Sequence, residues 1–313
     1  MSEISSAAQQ RFSATKNYLS SVIFEFDVDV DGKVKDIEIE KDFYMSTFTK
    51  NIAMKEMSSA KYRPAKIKKK NNKKKKIKTF GHRSVWAQRT ITDVYVKDRL
   101  PKFYRQLKAL RKSAKAGNAY SQYQLAMFYL VFPALQVNQV QYVDYIEKSA
   151  KAGVSEAKLE YAYLLLQGRK VTYDAEAAIS YILQAAQAGN ARAQHKLARH
   201  FLAGQILKKN ETKALFWFEK AAEQGEIYAK YWLARLYLTS DNLQYRNPQA
   251  AKKLLTETED QQQNNPNWYY YSALAEHQLG HKDNAEDLLA DGLDKAHDYA
   301  WNVKFFKALS QKL

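Results

Sequence analysis

Four glycines, Gly117, Gly153, Gly189 and Gly225, stand 36 residues apart. The same interval separates the segments SAKAGN (from Ser113), SAKAGV (from Ser149), AAQAGN (from Ala185) and AAEQGE (from Ala221). A second column keeps the register: Leu125, Tyr161, Leu197 and Leu233, each followed by an alanine, Ala126, Ala162, Ala198 or Ala234. A fixed period of this length folds as a stack of two-helix units, none of which can bury its apolar face alone. Each glycine is suited to the left-handed conformation that ends a helix. The alanines let paired helices approach, and the Leu/Tyr column fills the space between repeats. The register predicts first helices over 119–131, 155–167, 191–203 and 227–239, with second helices near 139–152, 174–188, 210–224 and 247–260. Only 10 Gly and 5 Pro in 313 residues agree with helices and short connections. A hydrophobic content of 46% excludes a mostly disordered chain.

The pattern A-x-x-W/Y-x-x-x-A-A-x-x-G, clearest in ALFWFEKAAEQG (Ala214 to Gly225) and supported by ARAQHKLARHFLAGQ, resembles the Sel-one-like repeat family, kin of the tetratricopeptide repeats. The resemblance implies an all-α right-handed solenoid over residues 99–261 that takes protein or peptide partners. After Gln261 the register breaks. NPNWYYYSALAEHQLGHKDNAEDLLADGLDKA resembles a tetratricopeptide unit, marked by Ala273-Leu274-Ala275, Leu279-Gly280 and Ala285. YAWNVKFFKALSQKL then reads as a capping helix, so residues 262–313 close the array.

The other end of the chain has a different period. In VIFEFDVDVDGKVKDIEIEKDF, Val22, Phe24, Phe26, Val28 and Val30 alternate with Ile23, Glu25, Asp27 and Asp29, which is strand periodicity. Asp31-Gly32 predicts a type I′ hairpin turn. Val34, Ile37 and Ile39 continue a returning strand with a change of phase near Asp36. Phe48, Ile52, Ala53, Met54 and Met57 then fall on helical spacing, capped by Ser46 or Thr47 and closed by Pro64. SVWAQRTITDVYV predicts a strand over 85–96. The hairpin FEFDVDVDGKVKDIEI, the helix and KYRPA (Lys61 to Ala65), in that order, resemble the C-terminal domain of TonB over residues 18–98. This resemblance implies an α+β domain whose sheet edge accepts a partner strand. Val85, Trp86, Thr90, Ile91 and Val94 are the edge candidates. A TonB energy transducer has a membrane anchor and a Pro-rich spacer ahead of this domain. Neither stands here, so coupling to a membrane motor is not implied. Residues 1–17 read as a flexible segment.

Between helix and last strand lies KIKKKNNKKKKIK, with lysines at Lys66, Lys68, Lys69, Lys70, Lys73, Lys74, Lys75, Lys76 and Lys78. From Lys61 to Lys112 there are 20 basic residues against two acids, Asp93 and Asp98, so this block carries the whole formal charge of +17. A local excess points to a local partner. The run reads as an extended basic loop, 66–78, that meets an anionic lipid or lipopolysaccharide surface, where each lysine contributes about 1 kcal/mol. Nucleic acid is the alternative. With no arginine to read bases and no interleaved aromatics to stack on them, such binding would be non-specific and salt-sensitive.

Catalytic signatures do not emerge. There is no cysteine, no phosphate-binding glycine loop and no GxSxG motif. His277 and His281 are four apart without an HExxH frame, His195 and His200 diverge around a helix, and His82 is a loop residue. Asp27, Asp29 and Asp31 read as a solvated strand face. No cofactor is implied. Tyr123, Tyr163 and Tyr231 are candidates to line a solenoid groove. The longest apolar run, Leu125 to Leu135, falls short of a membrane span and contains Pro133. The expectation is a non-enzymatic interaction scaffold of the bacterial envelope, an accessory to TonB-linked transport. It would be periplasmic if a signal peptide has been removed from its start, and cytoplasmic otherwise.

Overall fold

A computed structural model describes residues 19–43, 47–60, 62, 65–68, 74–77, 79–89, 105–131, 141–168, 170–298 and 303–313. Strands β1 (Leu19–Val28) and β2 (Val34–Phe43) form the expected hairpin. Its turn is not type I′: Gly32 has φ +84°, but Asp31 does not share the positive φ that a type I′ turn demands. Instead the Asp29 carboxylate accepts hydrogen bonds from the backbone N–H groups of Asp31 (2.8 Å) and Lys33 (2.9 Å), closing a longer connection. The phase change in β2 is real, since Asp36 has φ +52°. A non-glycine residue in that region re-aims the strand, and Asp tolerates the conformation better than most.

Helix α1 (Thr47–Ser59) follows, with Ala53 and Met57 buried and Ile52 exposed. Parts of the extended basic loop expected over 66–78 are paired strand. Residues Ala65–Lys68 (β3) and Lys74–Ile77 (β4) form an antiparallel ladder that pairs Lys66 with Lys76 and Lys68 with Lys74. Strand β5 (Thr79–Arg89) begins six residues earlier than expected, and Thr90, Ile91 and Val94 lie outside the described residues. Among the described residues the main sheet has the order β2–β1–β5, with β1 central and β5 at one side. Central placement explains why Val22, Phe24, Phe26 and Val28 are all buried while Ile23, on the other face, is buried too.

The helices fall where the period places them. Residues 105–115 form α2. The first helices are α3 (Ala119–Val131), α5 (Ser155–Gln167), α7 (Ala191–Ala203) and α9 (Ile227–Thr239). The second helices are α4 (Gln141–Lys151), α6 (Ala175–Gln187), α8 (Glu211–Glu223) and α10 (Pro248–Thr256). Local capping sets several starts: Asp174 accepts from Ala177 N–H, Asn210 from Lys213 N–H and Asn247 from Ala250 N–H. The glycine column takes φ between +80° and +101°. Short α11 (Glu259–Gln262) leads into the pair α12 (Pro266–Gln278) and α13 (Lys282–Asp298), and α14 (Lys304–Ser310) closes the array by burying Phe306 and Leu309. Gly292 makes that closure possible: a Cβ there would lie 2.5 Å from the Phe306 ring and 2.7 Å from Tyr269 Cβ.

The chain divides into two compact units. One comprises the chain through Phe24, Ile39–Thr49 and Ser84–Asn190, with a core of Ile23, Leu107, Leu125, Tyr129, Tyr142, Ile146 and Leu164. The other comprises Glu25–Glu38, Lys50–Arg83 and Ala191–Leu313, centred on Phe218, Trp232, Leu236, Leu255 and Trp268. No helix of the described residues is long and apolar enough to cross a membrane.

Candidate functional site

In the second unit, the acidic residues of the hairpin are not solvated. Glu25 and Asp27 on β1, with Asp36 and Glu38 on β2, are between 0 and 6% exposed. This corrects the sequence reading for Asp27, and for Asp29, which is buried as well; Asp31 alone stays exposed. A buried carboxylate is costly unless it is paired, and α7 and α9 supply the pairs.

Arg192, His195, Lys196 and Arg199 occupy one face of α7 at helical spacing. Lys196 Nζ reaches Glu25 Oε1 at 2.7 Å and Glu38 Oε2 at 2.9 Å. The Arg199 guanidinium donates to Asp27 Oδ2 at 2.6 Å and to Glu38 Oε1 at 3.3 Å. Trp232 Nε1 of α9 donates to the same Glu38 oxygen at 3.1 Å, and Arg192 lies 3.7 Å from the other. Asp36 Oδ1 accepts from Arg235 Nη1 of α9 (2.8 Å) and from Asn267 Nδ2 of α12 (3.2 Å). Aromatic rings orient the arginines. Arg235 lies 3.8 Å from the Trp232 centroid and 4.7 Å from that of Tyr271, and Arg199 lies 4.6 Å from Trp232.

These charges set each other's protonation. Burial alone would push the Glu25 carboxyl up, but Lys196, with Arg192 and Arg199 behind it, holds it at about 2. Glu38 is lowered against the same burial by Lys196, Arg199 and Arg192. His195 lies 3.5 Å from Glu38 and 3.8 Å from Glu226. Burial, and then repulsion from Lys196, Arg199 and Arg192, drive its pKa well below 6.5 and keep the ring neutral. The carboxylates are held by the surrounding cations, so the arrangement binds and fixes charge; among the described residues neither ring nitrogen of His195 has a hydrogen-bond partner. Among the described residues, no cluster of three or more metal-ligating side chains occurs.

The first unit makes a related contact with opposite polarity. Lys41 of β2 donates to Tyr123 Oη at 2.7 Å and lies 4.0 Å from Oε2 of Glu160, whose Oε1 accepts from Tyr142 Oη at 2.5 Å. Burial works against the charged Lys41, but Tyr123 and Glu160 outweigh it and raise the pKa.

The Sel1 repeat family matches residues 119–141, 155–190, 191–226 and 227–261. The chain carries four Sel1 repeats. Among solved structures, a protective antigen of uropathogenic Escherichia coli with an SLR fold is 18% identical, with a TM-score of 0.50; the match covers 60% of this chain and 40% of that one. It shows the fold alone, and the chain spans well under half the antigen's length. A Sel1 repeat protein from Oxalobacter formigenes is 31% identical over 40% of this chain and 95% of its own, with a TM-score of 0.37. Cysteine rich protein B of Helicobacter pylori is 22% identical over 39% of this chain and 93% of its own, with a TM-score of 0.32. No curated protein is significantly similar to the chain.

The Sel1 repeats therefore supply the cationic side of the site, which the sequence reading missed. The signal was present in the period: Arg199 and Arg235 are 36 apart, as are Lys196 and Trp232. Of the groove candidates, Tyr231 is 2% exposed and packs edge-on to Trp232 and Tyr271, so it is core and lines no groove. Tyr123 is buried against Lys41. Tyr163 is half-buried and accepts a hydrogen bond from Gln167 Nε2. Val85 and Trp86 lie on β5, as does His82. Lys66, Lys68, Lys74, Lys75 and Lys76 lie on β3 and β4, whereas Lys69, Lys70, Lys73 and Lys78 fall outside the described residues. His281 is bonded to Glu276 at 2.7 Å.

Proposed function

We propose that this Sel1-repeat chain is a non-catalytic protein-interaction scaffold of the bacterial envelope, an accessory of TonB-linked transport that takes an extended partner strand on β5. The observation that carries the reading is the sheet order β2–β1–β5: among the described residues no further strand pairs β5, which supports strand addition at that edge. Support for the TonB-like resemblance comes from Tyr62 of the KYRPA element. Its N–H donates to Gly32 O at 2.9 Å, and its ring lies 5.1 Å from that of Phe26, so Tyr62 packs on the hairpin. The β3–β4 ladder supports an anionic lipid or lipopolysaccharide partner. Nine lysines within residues 66–78 concentrate positive charge, and an anionic surface would neutralise it.

A photo-crosslinking amino acid at Trp86 tests the strand reading in the native cells. Cross-links to one extended segment of a second protein are expected. No adduct, or adducts only with this chain, would remove it. Fractionation with N-terminal sequencing tests the setting: recovery in the periplasm is expected, and recovery in the cytosol overturns the envelope reading.

A further inference from the structure

We propose that one face of the first helices of the Sel1 repeats is a recognition surface for an extended acidic segment, and that the β1–β2 hairpin is its intramolecular occupant. This surface is separate from the β5 edge and does not depend on it.

Recurrence is the first argument. Residues 195 and 231, 196 and 232, and 199 and 235 are equivalent positions of successive repeats, 36 apart. Two of these columns carry the hairpin hydrogen bonds of the second unit: Lys196 and Trp232 both hold Glu38, Arg199 holds Asp27 and Glu38, and Arg235 holds Asp36; in the third, His195 lies 3.5 Å from Glu38. In the first unit, Tyr123 belongs to the column of His195, and Glu160 to that of Lys196. Those two take Lys41. The same places in the repeat meet the hairpin in each unit, with charge matched each time. Such a pattern belongs to the repeat face and not to one isolated ion pair.

The chemistry of the face is the second argument. Arginines stacked on Trp232 and Tyr271 present fixed guanidinium forks, and the combination of Arg with Trp and Tyr is what dominates the centres of protein interfaces. A buried ion-pair cluster contributes little net stability compared with apolar packing of the same shape. Four cations on one face serve to select a ligand with carboxylates at set places better than they serve as core. The ligand the face selects has the hairpin's pattern: carboxylates in extended backbone at Asp36 and Glu38, with a cation three residues further on at Lys41.

The test uses the full chain and, as probe, a labelled synthetic peptide of its own hairpin, Leu19–Phe43. Fluorescence anisotropy compares the wild-type chain with the Asp27→Asn, Glu38→Gln chain, whose own hairpin is held less firmly. The variant chain is expected to bind the peptide at least 10-fold more tightly than wild type, and a peptide carrying the same two neutral substitutions is expected to lose that binding. Equal affinity of wild-type and variant chains, or equal binding of the neutralised peptide, would overturn the proposal. Hydrogen exchange on the wild-type chain decides the matter if the variant does not fold. Amides of β1 and β2 should exchange well before those of α7 and α9. Exchange of the hairpin only with global unfolding means that the occupant never leaves, and the proposal fails.

Discussion

Arg199 stands between two carboxylates, Asp27 at 2.6 Å and Glu38 at 3.3 Å, with its guanidinium carbon 4.6 Å from the Trp232 ring centre. Removing it leaves Asp27 fully buried with its strongest cationic partner gone. Loss of one member of a buried pair typically costs about 3–5 kcal/mol, so Arg199→Ala should lower the free energy of urea unfolding by about that amount. Arg199→Lys should recover only part, because an ammonium cannot span both acceptors as the fork does. Adding Asp27→Asn to Arg199→Ala should restore a large share of the loss, since the orphaned charge is then gone. An Arg199→Ala chain within about 1 kcal/mol of wild type would mean the network is not what holds the hairpin. None of this was legible from Asp27 itself. Its alternation with Phe26 and Val28 is what a half-solvated strand looks like, and its partner lies 172 residues away. Only the repeat period links the cations, and it does not say that they face a strand.

At the scale of elements, the sequence is a better guide wherever local chemistry sets the boundary. All four first helices begin and end where the 36-residue register puts them, because glycines stop the helices before them and Ala and Leu columns pack inside them. The turn between strands and the start of β5 went astray because they depend on pairing across the sheet, which short-range pattern does not encode. Two kinds of glycine test the helix-stop argument. At Gly225 (φ +80°) a Cβ would meet nothing within 4 Å, so Gly225→Ala should cost only the left-handed backbone penalty, about 1–2 kcal/mol. At Gly204 (φ +64°) the same Cβ would lie 2.9 Å from Lys209 Cβ, so Gly204→Ala should cost more than Gly225→Ala. Chemical denaturation of the two variants side by side checks the order. A Gly204→Ala chain as stable as Gly225→Ala would mean that the Gly204–Lys209 turn relaxes freely. Gly168, 36 residues before Gly204, meets Tyr173 in the same way at 2.8 Å, so the close turn is itself a repeated feature.

For the whole molecule, the buried charges predict an acid sensitivity with two stages. His195 is held well below 6.5, and His200, through burial and then Arg199 and Lys196, at about 4. In the unfolded chain both take up protons near pH 6.5 while the native chain does not. The unfolded state then binds more protons, and stability falls as the pH falls. Each histidine contributes a slope of about 1.4 kcal/mol per pH unit once its unfolded form is protonated and its native form is not. Glu25 and Glu38 act lower down. Their native values are depressed, Glu25 to about 2, so their contribution is complete above the ordinary 4.5 and is lost as the pH falls below it, for Glu25 down to about 2. Glu226 works in the opposite sense: burial raises it, so it takes up a proton in the native chain first and slightly offsets the loss just above 4.5. The free energy of unfolding should therefore be level above pH 7, decline from about 6.5, and drop more steeply below 4.5. Replacing both rings, His195→Gln with His200→Gln, should flatten the curve between pH 6.5 and 4.5 and leave the lower limb in place. The slope is the readout, because the absolute stability of that variant also carries the cost of repacking around position 195. An unchanged slope in that interval would mean that the cations around His195 and His200 do not keep these rings neutral.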